Sequence, residues 1–317
     1  MNIDGISSVT VPLSENIALS LIRNLEMESA NDNTTTETNF NYFKKLKSLL
    51  IKIKYKQPEK FSLIVTGSLH KYFHGRNNND FFEYQLELVK KEIFQYLEMD
   101  IAEIANCIIK PIPSLVLPLR KVEVGINIEI VIDDISAFLK NNLQLHKKEP
   151  FITDDNYIFT CRHEHYYLKI YNKGNNLLRF EMVFLTRELK KYNILCLSDL
   201  TKDKIVPMLE RLKTEAAEIL FSDGVNLHTQ EGITKSENLK LLQVSSAWRN
   251  NDFKNDKKNA EPRQRKNMNQ RMWRLGVLTK RILTEKGAGY KKIFVDAVND
   301  KVDSFLTQNE LENVYRL

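Results

Sequence analysis

The stretch that most constrains this chain runs from Cys161 to Glu188, where two strand-like segments flank a short turn. The turn, residues 173–176 (KGNN), has the glycine and asparagines that tight hairpins favour. In an extended strand, alternate side chains share one face of the sheet. A hairpin here would therefore gather polar groups on a single face. The residues expected there are His163, His165, Tyr167, Lys169, Tyr171, Lys173, Arg179 and Glu181.

A further strand-like segment supports a sheet with two different faces. Residues 121–132, KVEVGINIEIVI, alternate apolar and polar side chains over almost their whole length. Valines and isoleucines occupy one face, and Glu123, Gly125 and Asn127 lie on the other. We therefore expect a sheet with one apolar face, covered by helices, and one face that carries the polar row.

The rest of the chain mixes strand and helix patterns. Apolar residues at helical spacing, Leu88 among them, predict a helix over residues 81–97. Residues 28–41 are polar and predict a surface loop. The order of elements favours the α+β class, an antiparallel sheet with helices packed on one face. Strands are expected at residues 8–13 and 48–55, and helices at residues 15–25, 187–192, 202–221, 267–286 and 290–306.

Basic residues are concentrated near the C-terminus. The net charge is +6 overall, but residues 251–292 alone hold thirteen Lys and Arg against four Asp and Glu. We therefore divide the chain into an α+β domain over residues 1–222 and a basic, mainly helical region over residues 223–317, for which a DNA-binding or accessory role is expected. The alternative is a solvated helix face with a charged linker. The candidate DNA-binding residues are Arg263, Arg265, Arg271 and Arg274, with Lys71 and Lys169 from the first domain.

Several classes of protein are disfavoured. The sequence has no 18-residue apolar run and no secretory signal pattern at its start. Three cysteines without a CxxC pattern argue against a disulfide framework or a zinc ribbon. The phosphate-binding pattern GxxxxGK[ST] is absent, which argues against ATP hydrolysis of that type. We expect a cytoplasmic protein with no membrane contact.

The carboxylates of the polar face predict a metal site. Glu123 and Glu181 both lie on strands whose opposite face is apolar. Neighbouring carboxylates repel each other, so a site that gathers them usually binds a cation, and oxygen ligands suit Mg²⁺ or Mn²⁺. His165 is a candidate third ligand. The alternative is that each carboxylate is a solvated residue on an open sheet face.

Tyrosines are the candidate nucleophiles. Tyr166, Tyr167 and Tyr171 lie within six residues, interleaved with Lys169 and Lys173. A free phenol has a pKa near 10, so a nucleophilic tyrosine needs a nearby cation or metal ion. Because tyrosine is common in strands, packing at the rim of the core is the alternative.

Four segments resemble one known family. YLKIYNKG (167–174) followed by LLRFEMVFLTRELKKYNI (177–194) resembles the signature of the filamentous-phage gene II replication endonucleases, in which a Tyr-x-Lys strand precedes an Arg-Phe-Glu strand and a helix. GSLHKYFHGRNNNDF (67–81) and KVEVGINIEI (121–130) are similar to segments of the same group. A weaker likeness reaches staphylococcal-type rolling-circle plasmid initiators. The His-Glu-His triplet (163–165) resembles the two-histidine metal signature of HUH nickases, which carry an apolar middle residue.

The resemblance spans residues 61–221 and implies a metal-dependent, site-specific DNA endonuclease and strand transferase with a Rep/HUH-like core. In that family a tyrosine attacks a phosphodiester, stays linked to the 5′ phosphate, and leaves a 3′ hydroxyl that primes rolling-circle replication. Tyr171 matches the family tyrosine and Lys173 its lysine. Arg179 and Glu181 match the Arg-Phe-Glu pair. Glu123 falls where relatives carry an acidic residue, and Tyr166 and Tyr167 remain competing nucleophiles.

The resulting prediction is a replication initiator of a phage or plasmid. Its partners would be origin DNA, as a single strand or supercoiled duplex, and a host helicase and polymerase. The alternative function is a non-catalytic DNA-binding protein, such as a repressor or a theta-type initiator, in which the sheet is only a scaffold.

Overall fold

A computed structural model describes most of the chain. The described residues are 2–8, 11–13, 15–31, 40–56, 60–75, 81, 84–93, 97, 117–130, 132, 134–153, 157–174, 176–222, 234–236, 256, 259–286 and 289–314.

Strands and helices are mixed along the chain, as expected for the α+β class. The N-terminal half contains β1 (Asn2–Ser8), β2 (Val11–Leu13), α1 (Glu15–Asn24), β3 (Glu28–Asn31), β4 (Phe40–Leu46), β5 (Leu49–Lys56), β6 (Lys60–Gly67), α2 (Leu69–His74), α3 (residues 84–93), β7 (Leu119–Glu129) and α4 (Ile135–Asn142). The C-terminal half contains β8 (Leu143–His146), β9 (Glu149–Pro150), β10 (Ile158–Arg162), β11 (Tyr166–Gly174), β12 (Leu177–Leu185), α5 (Thr186–Lys191), α6 (Lys202–Ala217), β13 (Ile219–Phe221), α7 (Pro262–Lys286) and α8 (Gly289–Val314).

The chain forms two compact units. Met1–Val124 and Phe184–Met208 make the first unit, and Gly125–Val183 and Leu209–Leu317 make the second. Helices α7 and α8 therefore share a unit with the hairpin strands β11 and β12. The predicted functional boundary at residue 222 stays a prediction, because the units describe packing alone.

The first unit is built on an antiparallel sheet with strand order β7-β1-β6-β5-β4-β3, and β2 also pairs with β6. Ile51 lies opposite Val65, and Ile53 lies opposite Leu63. All four side chains are buried, so these apolar cross-strand pairs stabilise the middle of the sheet. The prediction of a strand over residues 48–55 is confirmed.

The second unit contains strands in the order β10-β11-β12-β7 and a small sheet ordered β13-β8-β9. The apolar face of β12 packs against α8, where the rings of Phe180 and Phe294 lie 5.3 Å apart. Val298 and Val302 are buried on the same face of α8, at helical spacing from Phe294. A helix therefore covers the apolar side of this hairpin, as the sequence predicted.

Local capping explains several boundaries. Asp134 is the N-cap of α4 and accepts a hydrogen bond from the backbone N–H of Ala137. Pro262 is the first residue of α7. A backbone N–H at this position makes no hydrogen bond within the helix, so proline, which has none, fits there without loss. α7 therefore begins five residues earlier than predicted.

Some sequence predictions are wrong. The helix predicted over residues 202–221 ends at Ala217, because residues 219–221 are buried as β13 and pair with β8. The loop predicted over residues 28–41 begins as β3, a polar strand that pairs with β4. Leu88, expected on the apolar side of α3, is 46% exposed.

Two further predictions fall partly outside the described residues. The prolines of residues 111–118 predict a connection, and the polar residues 248–263 predict a linker. Within the described parts of the chain, no helix has both the length and the apolar character that a bilayer crossing requires.

Replacement of Phe294 tests the packing of α8. Phe294 is 1% exposed, so Phe294→Ala is expected to lower the free energy of unfolding by about 3–5 kcal/mol. The adjacent Ile293 is 52% exposed, and Ile293→Ala is expected to cost less than about 1 kcal/mol. Urea denaturation of both variants is the measurement. Equal stability of the two variants would contradict the packing of α8 on β12.

Candidate functional site

The hairpin that organises the sequence forms as predicted. β11 ends at Gly174 and β12 begins at Leu177, so the loop between them is very short. Gly174 has a φ of 84° and Asn176 a φ of 58°, the left-handed conformations that glycine and asparagine tolerate best. The turn therefore sets the register that brings the polar residues of the two strands together.

Glu181 lies at the centre of the polar cluster. Its Oε1 accepts hydrogen bonds from the Tyr171 hydroxyl at 2.9 Å and from Arg179 Nε at 3.0 Å. Its Oε2 lies 3.4 Å from Lys169 Nζ. One carboxylate thus joins a phenol and two cations, which come from β11 and β12.

Strand β7 supplies the second partner of Arg179. Arg179 Nη1 donates to Asn127 Oδ1 at 3.0 Å, and Lys173 Nζ lies 3.5 Å from the same oxygen. The neighbouring Gly125 makes room for the cluster. A Cβ atom at Gly125 would lie 2.7 Å from Glu181 Cγ and 2.9 Å from Arg179 Nη2, too close for any other residue without displacement.

The cluster is buried at its centre and accessible at its edge. Arg179 is 0% exposed and Glu181 is 2% exposed, whereas Lys169, Tyr171 and Lys173 are half-buried. The groups that a substrate can reach are therefore those of β11. Chemically, the arrangement offers a hydroxyl with an adjacent proton acceptor and several cations for an anion.

Tyr167 lies outside the Glu181 contacts that the structure records. Its ring faces the Arg162 guanidinium at 5.2 Å and Lys169 Nζ at 5.8 Å, both cation–π distances. It therefore remains beside the cluster, sharing Lys169 with Glu181.

A second polar cluster in the same unit contains residues that the sequence analysis did not connect. His146 Nδ1 lies 2.7 Å from His163 Nε2, and Cys161 Sγ lies 3.5 Å from the same His163 nitrogen. The Tyr166 hydroxyl donates to Glu215 Oε2 at 2.9 Å. His146 ends β8, Cys161 lies in β10, and Glu215 lies in α6. The spacing Cys161-x-His163 was the one local sequence pattern that could have indicated this cluster.

The position of His163 corrects the prediction that it shares a face with Tyr167. The backbone N–H of His163 donates to the carbonyl of Tyr166, which closes a tight turn between β10 and β11. His163 therefore lies before β11 and stacks on the Tyr166 ring, with centroids 4.6 Å apart. The alternation rule failed because the strand begins three residues later than the sequence indicated.

The Glu215 carboxylate contacts several basic side chains. Lys147 Nζ lies 2.7 Å from Oε2, and Arg211 contacts Oε1. His146 Nε2 lies 2.6 Å from Oε2, but this nitrogen is buried and not aligned for a hydrogen bond. Burial alone would raise the pKa of Glu215, but its contacts with His146 and Lys147 outweigh burial and lower the pKa to about 2.

Burial also determines the protonation of the other members. It lowers the pKa of His146, and together with the charges of His146 and Lys147 it lowers the pKa of His163 to about 4. Burial raises the pKa of the Cys161 thiol well above its usual range. Burial and the Glu215 carboxylate raise the pKa of Tyr166. Both histidines are therefore neutral at neutral pH, and Tyr166 is a poor source of phenolate.

The predicted metal ligands each have other contacts. Glu123 Oε1 lies 2.6 Å from Lys121 Nζ, and His165 Nε2 lies 3.7 Å from Glu164 Oε1. Among the residues that the structure describes, only His146, Cys161 and His163 form a group of three ligand atoms close enough for one metal ion. The Mg²⁺ or Mn²⁺ site at Glu123, Glu181 and His165 stays a prediction.

The predicted DNA-binding residues lie in separate places. Lys169 belongs to the Glu181 cluster, and Lys71 is exposed on α2. The remaining four lie on α7, where Arg263, Arg265 and Arg274 are exposed and the side chain of Arg271 is outside the described residues. α7 therefore presents several cations to solvent.

No known protein family matches the sequence, and no curated protein is similar to it.

Protonation of His163 should link stability to pH. The histidine binds its proton near pH 6.5 in the unfolded chain and near pH 4 in the folded chain, so the unfolded chain binds more protons between these values. The free energy of unfolding should fall as the pH falls from 6.5 to 4, with at most about 3 kcal/mol from this residue. Urea denaturation of chelator-treated protein at several pH values is the measurement.

The matched control for this pH dependence is the neighbouring histidine. His163→Gln should flatten the dependence between pH 6.5 and 4, whereas His165→Gln should leave it as in the unmodified protein. Identical pH profiles for the unmodified protein and His163→Gln would contradict the lowered pKa.

Proposed function

We propose that the Glu181 cluster cleaves a DNA phosphodiester with Tyr171 as nucleophile, and that the protein starts rolling-circle replication of a phage or plasmid genome. The observation that carries this proposal is the hydrogen bond from the Tyr171 hydroxyl to Glu181, on a carboxylate that two cations also contact. A nucleophilic hydroxyl needs a nearby proton acceptor, and this geometry supplies one.

In the proposed reaction, Tyr171 Oη attacks the phosphorus and its proton passes to the Glu181 carboxylate. The bond between phosphorus and the 3′ oxygen breaks, and that oxygen leaves as a hydroxyl after taking up a proton. The 5′ phosphate stays on Tyr171 as a phosphodiester. Attack on this bond by a 3′ hydroxyl reverses the steps and rejoins the strand, so one site both nicks and ligates.

Positive side chains support the transfer of a phosphoryl group. The charge that develops on the phosphoryl oxygens is stabilised by nearby fixed cations. Lys169 and Lys173 are half-buried on β11, the strand that also carries Tyr171, and are the cations that a phosphate can reach. Arg179 is buried and holds Glu181 in place. In this assignment Arg179 positions the proton acceptor and does not contact DNA.

A divalent cation, Mg²⁺ or Mn²⁺, belongs to this proposal only through the resemblance. Both oxygens of Glu181 already have partners in Tyr171, Arg179 and Lys169, and Glu123 contacts Lys121, so the described contacts do not fit a metal ion on these carboxylates. No step is therefore assigned to the metal. Parallel reactions with Mg²⁺, Mn²⁺ or EDTA determine whether strand cleavage requires one.

The proposed partners are origin DNA and a host helicase and polymerase that extend the free 3′ hydroxyl. The second candidate function is a DNA-binding protein without catalysis. It is favoured by the burial of Arg179 and Glu181, because a buried ion pair also serves to fix strand register. Supercoiled plasmid carrying the origin distinguishes the two: a nickase relaxes the plasmid, whereas a binding protein only retards it.

Tyrosine-to-phenylalanine variants test the nucleophile. Tyr171→Phe keeps the ring and removes only the hydroxyl, so it should abolish the covalent adduct with a single-stranded origin oligonucleotide while leaving DNA affinity within about twofold. Mass spectrometry of the protein–oligonucleotide adduct is the measurement.

Tyr167→Phe is the matched control, because it removes a hydroxyl from the same strand. It should retain adduct formation. Adduct formation that survives in Tyr171→Phe and is lost in Tyr167→Phe would move the role to Tyr167. Binding without nicking or adduct in the unmodified protein would favour the non-catalytic function.

Charge substitutions on α7 test the basic helix. Deleting the C-terminal region would remove Phe294 from the core of the second unit, so substitution is the cleaner test. Arg263→Gln, Lys266→Gln and Arg274→Gln together should flatten the slope of log affinity against log salt by about 2–3, at about 0.7–0.9 for each phosphate contact.

The control for the α7 substitutions removes as many charges elsewhere. Lys91→Gln, Lys140→Gln and Lys190→Gln change exposed lysines on other helices and should leave the slope almost unchanged. A salt titration of DNA binding is the measurement. Equal slopes for the two triple variants would mean that α7 is only a solvated helix face.

A further inference from the structure

The strongest unassigned feature of the molecule is the group formed by His146, Cys161 and His163. The three ligand atoms lie within 4.8 Å of one another. Two imidazoles and a thiol are the donors that zinc prefers, whereas Mg²⁺ and Mn²⁺ prefer oxygen. The donor set therefore indicates a different metal from the one that the carboxylates of the sheet would bind.

Two of the three distances between the ligand atoms are close to those of a tetrahedral zinc site, and the third, between His146 and Cys161, is within 4.8 Å. Bond lengths of about 2.0–2.1 Å to nitrogen and about 2.3 Å to sulfur place N and S ligands about 3.5 Å apart, and two N ligands about 3.3 Å apart. Cys161 Sγ and His163 Nε2 are 3.5 Å apart. His146 Nδ1 and His163 Nε2 are 2.7 Å apart and need to separate by only about 0.6 Å to meet the same requirement.

Glu215 supplies the support that metal-binding histidines usually have. A ligating histidine generally directs its other ring nitrogen at a carboxylate, which fixes the ring and its tautomer. His146 Nε2 lies 2.6 Å from Glu215 Oε2 while its Nδ1 faces the other ligand atoms. His146 is fully buried, and its Nε2 has no aligned hydrogen bond. Ligation through Nδ1 would leave Nε2 protonated and facing this carboxylate.

We propose that the second unit binds one zinc ion through His146 Nδ1, Cys161 Sγ and His163 Nε2. Three protein ligands leave the fourth position for water. Binding releases the thiol proton of Cys161 to solvent, so that the thiolate bonds to the metal. The half-buried His163 borders solvent and gives the ion its route of entry.

The ion would tie together elements that are distant in sequence. His146 ends β8, Cys161 belongs to β10, and His163 lies in the turn that leads into β11. Because β11 carries Tyr171, the zinc site would hold one end of the proposed catalytic strand. The site does not depend on the proposed function, since its ligands take no part in the Glu181 cluster.

Cobalt substitution tests the site directly. Full-length protein freed of metal with a chelator is titrated with Co²⁺ and then with Zn²⁺. We expect one equivalent of Co²⁺ to produce a thiolate-to-metal charge-transfer band, and one equivalent of Zn²⁺ to abolish it. Millimolar Mg²⁺ should leave the band unchanged. Absence of the band in the unmodified protein would overturn the proposal.

Two pairs of variants assign the ligands. Cys161→Ser should remove the band, and Cys196→Ser should keep it. His163→Gln should weaken Zn²⁺ binding by more than about 100-fold, because loss of a residue that only supports a metal ligand costs about 10–100-fold. His74→Gln, on α2 beside Gln85, should not weaken it. If circular dichroism shows that Cys161→Ser is unfolded, the Zn²⁺ affinity of His163→Gln decides whether the site exists. Unchanged Zn²⁺ affinity in a folded His163→Gln would reject the site.

Discussion

The contact between Arg179 and Glu181 is the constraint on which the hairpin region depends. Removing two charges from water costs several kcal/mol for each ion, and an ion pair offsets this cost only when its remaining donors and acceptors also have partners. Here the partners come from two other strands: Tyr171 and Lys169 from β11, and Asn127 from β7. A one-residue slip of any of these strands would turn its side chains to the opposite face and leave a buried charge without its partners. The polar cluster therefore specifies register as well as offering chemistry.

Local signals predicted this part of the molecule well. A two-residue period marked the polar face, and glycine and asparagine marked the turn, so the meeting of Tyr171 with Glu181 followed from residues ten positions apart. Contacts between residues far apart in the sequence could not be predicted from such local patterns. β13 is a strand because β8 is available to pair with it, and no pattern within residues 219–221 distinguishes that outcome from a helix end. His146 and Glu215 were missed for the same reason, since they meet only after β8 and α6 have packed.

The two polar clusters differ in how they balance charge. At Glu181 the negative charge is matched by Arg179 and Lys169, so another cation would have to displace existing partners. At His146 and His163 burial favours the neutral rings, and their ligand atoms lie within 4.8 Å of each other and of Cys161 Sγ. Residue type alone indicated carboxylates as metal ligands. The neighbours of each group favour the second cluster for the zinc ion proposed above, because the Glu181 carboxylate already lies between two cations. The Mg²⁺ or Mn²⁺ site at the carboxylates stays a prediction.

The three clustered tyrosines show how environment separates equivalent residues. Tyr166 and Tyr171 both donate to a buried glutamate, at the same distance of 2.9 Å. Tyr166 is buried, and the pKa of its phenol is raised, first by burial and then by the charge of Glu215. Tyr171 is half-buried, although both glutamates also contact an arginine. A nucleophile must both lose its proton and reach the substrate. Tyr166 meets neither requirement, and the half-buried Tyr171 is the one of the two that a substrate can reach, although sequence spacing alone does not distinguish them.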